Sequence, residues 1–428
     1  MSENENTSDS TEEPPAYPVL AAPADGVPDV IVDERGLQRA ADAIAAADGP
    51  VALDAERAAG FRYGNRAYLV QLRREGAGTF LIDPIALPDL TPIQDAIGDA
   101  EWVLHAATQD LPCLAEVGMH PHLLFDTELG SRLAGLPRVG LAAVIEHYLG
   151  ISLAKEHSAA DWSTRPLPDP WLTYAALDVE VLIEVRNRLR DDLSKQDKLD
   201  WAQQDFAALT SFTGPPQRTE PWRRTSGMHR IKDKRAIARV RELWLTRDAI
   251  AQERDTAPGR ILPDAMIVEL ANVGPRTTEA LQQAGSALQG TSRSRARLAG
   301  RGTSRYASRW LEAIERVAAM KEADLPPATV RNDAPPPQRT WADRNPQAAI
   351  RLSFVRAALT EFAERRNVPI ENLITPDTLR RVLWTPPKPY DDNAIRERLA
   401  ELGARPWQID LVAPYILEAP DEPPATDE

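Results

Sequence analysis

The sequence of 428 residues is poor in several features that would point to other classes of protein. Its single cysteine, Cys113, cannot form a disulfide bond within the chain, as is usual in the reducing cytosol. No apolar run approaches the roughly 18 residues of a membrane helix, and the first residues, MSENENTSDSTEEPP, lack the basic and apolar regions of a secretory signal. No glycine is followed by lysine, which excludes a P-loop, and the six histidines show no zinc-binding spacing. We therefore expect a cytoplasmic protein without membrane contact, and no protein partner is evident.

The charge of the chain is strongly uneven. There are 50 basic and 64 acidic residues, a net charge of −14. Residues 1–16 and 418–428 carry five acids each and no base, whereas residues 223–310 carry 18 Lys or Arg and 8 Asp or Glu. An acidic protein with one basic segment is compatible with a nucleic-acid partner, although the net charge alone argues against it.

Changes in composition divide the chain into segments. The α/β part alternates strand and helix patterns, and the two later parts show helix patterns only. The predicted boundaries are 1–28 for a disordered acidic tail, 29–212 for an α/β domain, 213–227 for a linker, 228–322 for a first helical domain, 323–340 for a Pro-rich linker, 341–418 for a second helical domain and 419–428 for an acidic tail.

Within the α/β part, residues 49–56, 67–75 and 78–84 are predicted to form an antiparallel meander of three strands. Residues 123–135 are predicted to be largely helical. Residues 168–193 have the 3.6-residue periodicity of one long helix.

Two acids follow the apolar start of the first strand in LDAERA. Residues i and i+2 of a strand point to the same face, so Asp54 and Glu56 project together. Two adjacent carboxylates repel each other unless a cation neutralises them. Taken alone, the pair indicates either a solvated strand end or half of a metal site, and the solvated end is the commoner case.

Two further segments place acids on helices. Asp110 lies in the first turn of a helix after a buried strand, where it can also simply favour the helix N-terminus. Tyr174 and Asp178 are four residues apart and share one helix face, at the edge of an apolar stripe. Partly buried there, both side chains need hydrogen-bonding partners.

The ordered set of acid-x-acid, acid and Tyr-x-x-x-acid resembles the three motifs of the DEDD superfamily of 3′→5′ exonucleases, in its tyrosine-bearing branch. With LHAATQDLPCL, LFDTELGSRLAG, DWSTRPLP and YAALDVEVL, the chain is similar to the ribonuclease D family over about residues 30–418. The resemblance implies an RNase H-like exonuclease domain with a mixed sheet, followed by two all-α domains of the HRDC type (helicase and RNase D C-terminal).

The resemblance also implies the site residues and the cofactors. The implied metal ligands, catalytic together with Tyr174, are Asp54, Glu56, Asp110 and Asp178. They would bind two divalent cations, Mg²⁺ or Mn²⁺, which suit ligands that are all oxygen. Asp54 would bridge the cations, and Tyr174 would orient the attacking water.

Contacts to RNA are predicted from basic residues. The stretch 291–310 contains six arginines, one tyrosine and no acid, which suits either a phosphate-tracking surface or a solvated loop. The nominated RNA contacts are Lys155, Arg165, Arg293, Arg295, Arg297, Arg301, Arg305 and Tyr306. We expect His105 to be a core residue and Asp126 to be a structural residue at a helix start.

The resemblance implies a metal-dependent 3′→5′ exoribonuclease that releases nucleoside 5′-monophosphates. Its expected partner is RNA with a single-stranded 3′ end, above all precursors of tRNA. Two alternatives stay open: a DNA 3′→5′ exonuclease, because the same acids serve DNA, and an inactive RNA-binding protein. Trimming of RNA and DNA oligomers of equal sequence tests the first alternative, because only contacts to the 2′-OH distinguish RNA from DNA.

Overall fold

A computed structural model of the chain describes residues 17–153, 159–216, 218–286, 301–329 and 333–420. The N-terminal part is built on a mixed sheet of six strands, ordered β2-β5-β4-β3-β6-β7, beside a small parallel pair of β1 and β8. The strands are β1 (Val19–Leu20), β2 (Val30–Ile31), β3 (Val51–Arg57), β4 (Ala67–Arg74), β5 (Gly78–Ile82), β6 (Glu101–Leu104), β7 (Leu123–Asp126) and β8 (Ser152–Leu153).

Helices cover this sheet. They are α1 (Glu34–Ala45), α2 (Thr91–Ile97), α3 (Leu111–Ala115), α4 (Thr127–Ala134), α5 (Leu141–Leu149), α6 (Asp169–Glu180), α7 (Leu182–Lys195) and α8 (Leu199–Leu209). Strands β3, β4 and β5 form the predicted antiparallel meander, and β6 and β7 extend the sheet in parallel with β3. Strand β3 is buried nearly throughout, which explains its apolar start.

Two predictions about single elements are wrong in part. Residues 123–135, predicted as largely helical, contain α4 over Thr127–Ala134, but residues 123–126 form the edge strand β7, because pairing with β6 overrides the local pattern of so short a run. The long helix predicted over 168–193 is two helices, α6 and α7, which meet at Val181. The apolar periodicity runs through this junction, so the sequence pattern alone did not reveal it.

The middle part is helical and has its own hydrophobic core. Its helices are α9 (Lys234–Glu253), α10 (Pro258–Ile261), α11 (Asp264–Val273), α12 (Thr278–Ser286) and α13 (Ala307–Ala319). The core contains Trp222, Leu243 and Trp310, all nearly inaccessible to solvent. Tyr63 of the α/β part packs against its edge, so the two parts are in direct contact.

The C-terminal part is also helical, but it shares its core with the α/β part. Its helices are α14 (Trp341–Arg344), α15 (Pro346–Arg366), α16 (Ile370–Leu373), α17 (Pro376–Trp384), α18 (Asp392–Glu401) and α19 (Pro406–Leu417). One continuous cluster joins Leu352 and Val412 of this part to Leu189 and Phe206 of α7 and α8. Trp201 stacks on Trp407 across the junction, with ring centroids 4.6 Å apart.

The predicted fold class is confirmed: an α/β domain with a mixed sheet precedes an all-helical region. The exact domain boundaries stay a prediction, because helix and strand limits do not by themselves define independently folding units. In the described part of the chain, no helix combines the length and the apolar content needed to cross a membrane.

Candidate active site

The predicted acids meet at one edge of the sheet. Strands β3 and β6 are parallel neighbours, so their C-terminal ends lie side by side and bring the end of β3 next to the turn that follows β6. Helix α6 closes the third side, because Ala175 and Ala176 pack on Leu69 and Leu81 of the sheet. The three segments enclose a cavity of about 570 Å³, whose lining includes Asp54, Glu56, Arg57, His105, Asp110, Tyr174 and Asp178.

Three of the four predicted carboxylates form a tight group. Oxygen atoms of Asp54, Glu56 and Asp178 all lie within 4.8 Å of one another. Glu56 and Asp178 are buried, and Asp54 is partly buried. Gln71, the cross-strand partner of Asp54, donates a hydrogen bond from Nε2 to Asp54 Oδ2 at 2.6 Å and so orients this carboxylate.

Asp110 lies in the same cavity but is paired differently. Its Oδ1 is 3.4 Å from Nη2 of Arg57, and its side chain is almost fully buried. Asp110 therefore lines the same cavity as the three grouped carboxylates, with a cationic side chain of the protein beside it.

Asp126 holds the turn that carries Asp110. Its carboxylate accepts hydrogen bonds from the backbone N–H groups of Ala106 and Ala107, at 3.1 and 2.9 Å, while it also caps α4 by accepting from Glu128 and Leu129. Ala106 has the left-handed φ of 59°, which a non-glycine residue seldom adopts without such support. The structure thus gives Asp126 the structural role that the sequence predicted.

Burial and mutual repulsion make these carboxylates reluctant to ionise. Burial raises the pKa of Asp54 to about 6, against the lowering influence of Arg57. Burial and the charges of Asp54, Asp178 and Asp110 raise the pKa of Glu56 to about 10. The pKa of Asp110 is raised well above its ordinary value, first by burial and then by Asp54. Such a group of like charges is stable in ionised form only when cations neutralise it.

Tyr174 points into the same group of acids. Burial, the charges of Asp178, Glu56 and Asp54, and a hydrogen bond with Asp178 together raise the pKa of its phenol. Its ring packs 6.4 Å from that of the buried Trp162, which in turn lies 5.3 Å from Trp171. Tyr174 is therefore a neutral hydrogen-bond donor at physiological pH and is held in place by aromatic packing.

His105 lines the cavity as well. Its Nδ1 lies 2.9 Å from Oγ1 of Thr127, and burial lowers the pKa of the imidazole to about 4. The ring is thus uncharged at neutral pH. The expectation of a core histidine describes its environment, but its place at the cavity wall was not predicted.

Two further residues of the site were missed from the sequence: Arg57, which lines the cavity, and the fully buried Gln71, which is hydrogen-bonded to Asp54. A register shift between Glu56 and Arg57 marks a β-bulge, and bulges re-aim the side chain that follows them. At this register shift, the guanidinium of Arg57 lies 3.4 Å from the carboxylate of Asp110. No local sequence signal predicts this bulge, whereas the position of Gln71 opposite Asp54 follows once the hairpin register is known.

The structure does not support the predicted RNA contact of Arg165. All five N–H groups of its guanidinium are used within the protein. Nε and Nη2 donate to the carboxylate of Asp83 at 2.7 and 2.8 Å, and the other donors reach the carbonyl oxygens of Tyr68, Trp162 and Thr164. Arg165 therefore ties the loop around Trp162 to the sheet, which supports the packing under Tyr174.

The other nominated RNA contacts divide into two sets. Arg301, Arg305 and Tyr306 line a second cavity, of about 290 Å³, in the middle part of the chain. The rest lie outside the described residues: Lys155, Arg293, Arg295 and Arg297.

The ligand set fits divalent cations. The candidate ligands offer oxygen only, which favours hard cations over zinc. The three grouped carboxylates can reach one ion with one oxygen each. Burial raises the pKa values of Asp54 and Glu56, so their ionised forms need a neighbouring cation. The site is thus built for divalent metal.

Comparison with known proteins agrees with this geometry. Three family models match: "3'-5' exonuclease" over residues 28–194, "HRDC domain" over residues 236–314, and "3' to 5' exonuclease C-terminal domain" over residues 334–419. The first covers the candidate active site, and the last covers the helices that share their core with α7 and α8.

A curated relative identifies the family, and solved structures share the fold. The ribonuclease D of Zymomonas mobilis is 31% identical over 294 residues, which are 66% of this chain and 70% of that protein. Across the first relatives compared, the aligned part spans from 53% to 71% of the relative's own length. A protein from Bifidobacterium adolescentis, known from its crystal structure, is 40% identical with a TM-score of 0.83, covering 94% of this chain and 99% of that one.

The fold is also found in the Escherichia coli RNase D, described as an exoribonuclease involved in structured RNA processing. The two are 23% identical with a TM-score of 0.63, over 87% of this chain and 98% of that one. With the acids of the DEDD pattern gathered in one cavity, the chain belongs to the ribonuclease D family of 3′→5′ exoribonucleases.

Proposed function

We propose that this exoribonuclease trims the 3′ ends of structured RNA precursors such as tRNA by two-metal-ion hydrolysis and releases nucleoside 5′-monophosphates. The observation that carries the proposal is the group formed by Asp54, Glu56 and Asp178, whose carboxylate oxygens lie within 4.8 Å of one another beside Tyr174. Asp110 supplies the fourth carboxylate of the cavity.

Two divalent cations, Mg²⁺ or Mn²⁺, are the proposed cofactors. Asp54, Glu56 and Asp178 would hold one, and Asp110 would help to hold the second, with Asp54 shared between them. When bound, the cations supply a nucleophile at neutral pH and offset the charge that develops on the leaving oxygen. Arg57 beside Asp110 balances part of the negative charge in their absence.

The protein's own side chains have separate tasks in this scheme. Gln71 fixes the rotamer of Asp54 by its hydrogen bond. Tyr174, neutral because its pKa is raised, donates a hydrogen bond rather than accepting a proton, and so positions water beside the acids. The neutral ring of His105 closes the wall near the turn without adding charge.

Structured RNA is the proposed substrate for two reasons. The acids line a cavity of about 570 Å³ at the edge of the sheet, which would receive the free 3′ end of a strand. The two helical parts, packed against the α/β part, offer a large surface for the body of a folded RNA. The neighbour from Escherichia coli is described as acting in structured RNA processing, which is in line with this assignment.

The test is digestion of a 5′-labelled tRNA precursor, read at nucleotide resolution, with and without Mg²⁺ or Mn²⁺. We expect stepwise 3′ shortening that needs metal and is lost in Asp54→Asn. A matched control is Asp95→Asn, which changes an exposed aspartate of α2. Trimming by Asp54→Asn at near wild-type rate would contradict the metal-site assignment.

A DNA oligomer of equal sequence in the same assay tests the nature of the substrate. Faster shortening of DNA than of RNA would replace the proposal with a DNA exonuclease. Calorimetric titration of Mn²⁺ into the wild-type protein and into Asp54→Asn measures cation binding independently of turnover. Binding without any trimming would point to an inactive RNA-binding protein.

A further inference from the structure

We propose that the second cavity, lined by Arg254, Arg260, Arg301 and Arg305, binds the backbone phosphates of the RNA strand immediately upstream of its 3′ end. We call it the arginine cavity; its volume is about 290 Å³, and Tyr306 completes its wall. The inference rests on the proposed function, which supplies the strand, and extends it by assigning where that strand leaves the catalytic cavity.

The four arginines come from three elements. Arg254 follows the last residue of α9, Arg260 lies in α10, and Arg301 and Arg305 belong to a helical segment over 301–305. Arg301 and Arg305 are four residues apart in that segment, so they lie on one face and repel each other. Folding thus brings together positive charges that are unfavourable near one another unless an anion lies between them.

The four arginines form no salt bridge with the carboxylates that the structure describes. The two acids that flank Arg254 in sequence are both engaged elsewhere: Glu253 pairs with Arg309 at 2.8 Å, and Asp255 lies 3.6–3.7 Å from Arg62 and Arg66. The local charge excess of the four guanidinium groups is therefore available to a ligand.

The cavity also has an aromatic part. Tyr306 is half-buried at the wall, and the guanidinium of Arg305 lies 5.5 Å from the centroid of its ring. Proteins commonly bind single-stranded RNA with arginines beside aromatic rings. The arginines contact the phosphates, and a base stacks on the ring. A small free anion has no ring that could stack on Tyr306, whereas a nucleotide has both a phosphate and a base. The geometry therefore favours a nucleotide chain.

The arginine cavity adjoins the catalytic cavity. Ala59 lines the catalytic cavity, and the next residue, Gly60, accepts a hydrogen bond at 2.6 Å through its carbonyl oxygen from Nε of Arg260. The ring of Phe61 lies 4.1 Å from the guanidinium carbon of Arg260. Neighbouring Cα atoms are about 3.8 Å apart, so the same short loop borders both cavities. A strand with its 3′ end among the acids passes this loop and reaches the arginines.

This continuity makes the arginine cavity a guide for the strand rather than a separate ligand site. The four positive charges would attract the backbone regardless of sequence, because phosphates carry no sequence information. RNA binding to this cavity would gain free energy from the release of counterions from the RNA. This gain falls as the salt concentration rises, so binding would weaken at high salt. The salt dependence of binding therefore counts the phosphate contacts.

The experiment compares RNA binding by wild type and by the double variant Arg254→Gln/Arg305→Gln. Both arginines are exposed, and neither holds a described salt bridge, so the fold is expected to persist. Binding of a 5′-fluorescein-labelled ten-nucleotide RNA is measured with Ca²⁺ between 50 and 300 mM KCl. The expected result is a slope of log K against log[salt] that is less steep by about 1.4, since each lost contact on a single strand contributes about 0.7.

The control is Arg365→Gln, an exposed arginine paired with Glu361 at 2.9 Å in the C-terminal part. Its slope is expected to equal that of the wild type. In Mg²⁺, the ratio of kcat/KM for the ten-nucleotide RNA to that for a dinucleotide is expected to fall roughly tenfold to thirtyfold in the double variant at 0.1 M salt.

The two proposals fail in different ways. If the wild type trims RNA but the double variant keeps both the wild-type slope and the wild-type length ratio, the arginine cavity is not on the path of the strand. If the wild type binds RNA but trims none, the proposed function fails. An equal change of slope in Arg365→Gln would show a general charge effect and would overturn the arginine cavity as a specific site.

Discussion

Gly135→Ala is expected to lower the free energy of unfolding through two effects at the junction of the α/β and C-terminal parts. Gly135 ends α4 with a φ of 83°, a left-handed conformation that favours glycine. A Cβ atom added there would overlap both the side-chain amide and the backbone carbonyl of Asn367, the residue that ends α15. The substitution therefore strains the local backbone and also forces the two parts away from each other.

The magnitude follows from the contacts made around Asn367. Left-handed backbone costs about 1–2 kcal/mol in a residue other than glycine. Moving Asn367 disturbs three hydrogen bonds: Lys198 Nζ donates to its carbonyl at 3.3 Å, its own Nδ2 donates to the Gly135 carbonyl at 3.3 Å, and the adjacent Arg366 donates to the Gln196 carbonyl at 2.9 Å. At about 1 kcal/mol each, these add about 3 kcal/mol. The expected loss is thus about 4–5 kcal/mol.

A second glycine provides the control. Gly403 has nearly the same backbone angle, with φ 84°, but nothing lies within 4 Å of an added Cβ atom. Gly403→Ala should therefore cost only the 1–2 kcal/mol of backbone strain. The difference between the two variants, about 3 kcal/mol, is assigned to the junction.

Urea unfolding of the full chain measures both losses. Trp201 and Trp407, stacked across the junction, make fluorescence sensitive to separation of the two parts. We expect Gly135→Ala to shift this signal to lower urea concentration by far more than Gly403→Ala does. Equal destabilisation by the two substitutions would refute the reasoning, because backbone strain alone would then account for both.

Two further predictions concern the catalytic cavity. Tyr174→Phe is expected to lower the single-turnover rate of RNA trimming at least about 100-fold, because it removes a positioning hydrogen bond, while RNA affinity stays within about twofold. The control is Tyr148→Phe, which removes a hydrogen bond of 2.9 Å to Asp192 outside the cavity. An unchanged rate in Tyr174→Phe would contradict the assigned role. The second concerns pH: burial lowers the pKa of His105 to about 4, below its ordinary 6.5, so its contribution to stability is complete above pH 6.5 and is lost as the pH falls toward 4. Relative to His105→Gln, the wild type should lose about 2 kcal/mol of unfolding free energy between pH 7 and pH 5, and parallel stability profiles would be the contrary result.

The candidate ligands were predictable because short-range geometry controls their placement. Asp54 and Glu56 share a face through the two-residue period of a strand, and Tyr174 and Asp178 share one through the helical turn. The antiparallel meander that carries the first pair followed from alternation and turn residues. Local periodicity thus placed each pair on one face, and the resemblance to the DEDD exonucleases identified the pairs as parts of one site.

The arrangement of those parts depended on contacts between distant segments. Arg57 of β3 pairs with Asp110 on the turn after β6, and Arg165 is engaged by Asp83, 82 residues away in sequence. Strand β7 exists because β6 is there to pair with it. No local pattern contains these partners.

The sequence by itself determined which residue types are available and which faces of strands and helices they share. The tertiary structure decided what each of them meets: three acids around one point, a fourth beside an arginine, and the four guanidinium groups of the arginine cavity. It also decided that the C-terminal helices share one core with α7 and α8. The physical reason is that backbone geometry acts over a few residues, whereas burial and charge pairing act between whatever the packed chain brings into contact.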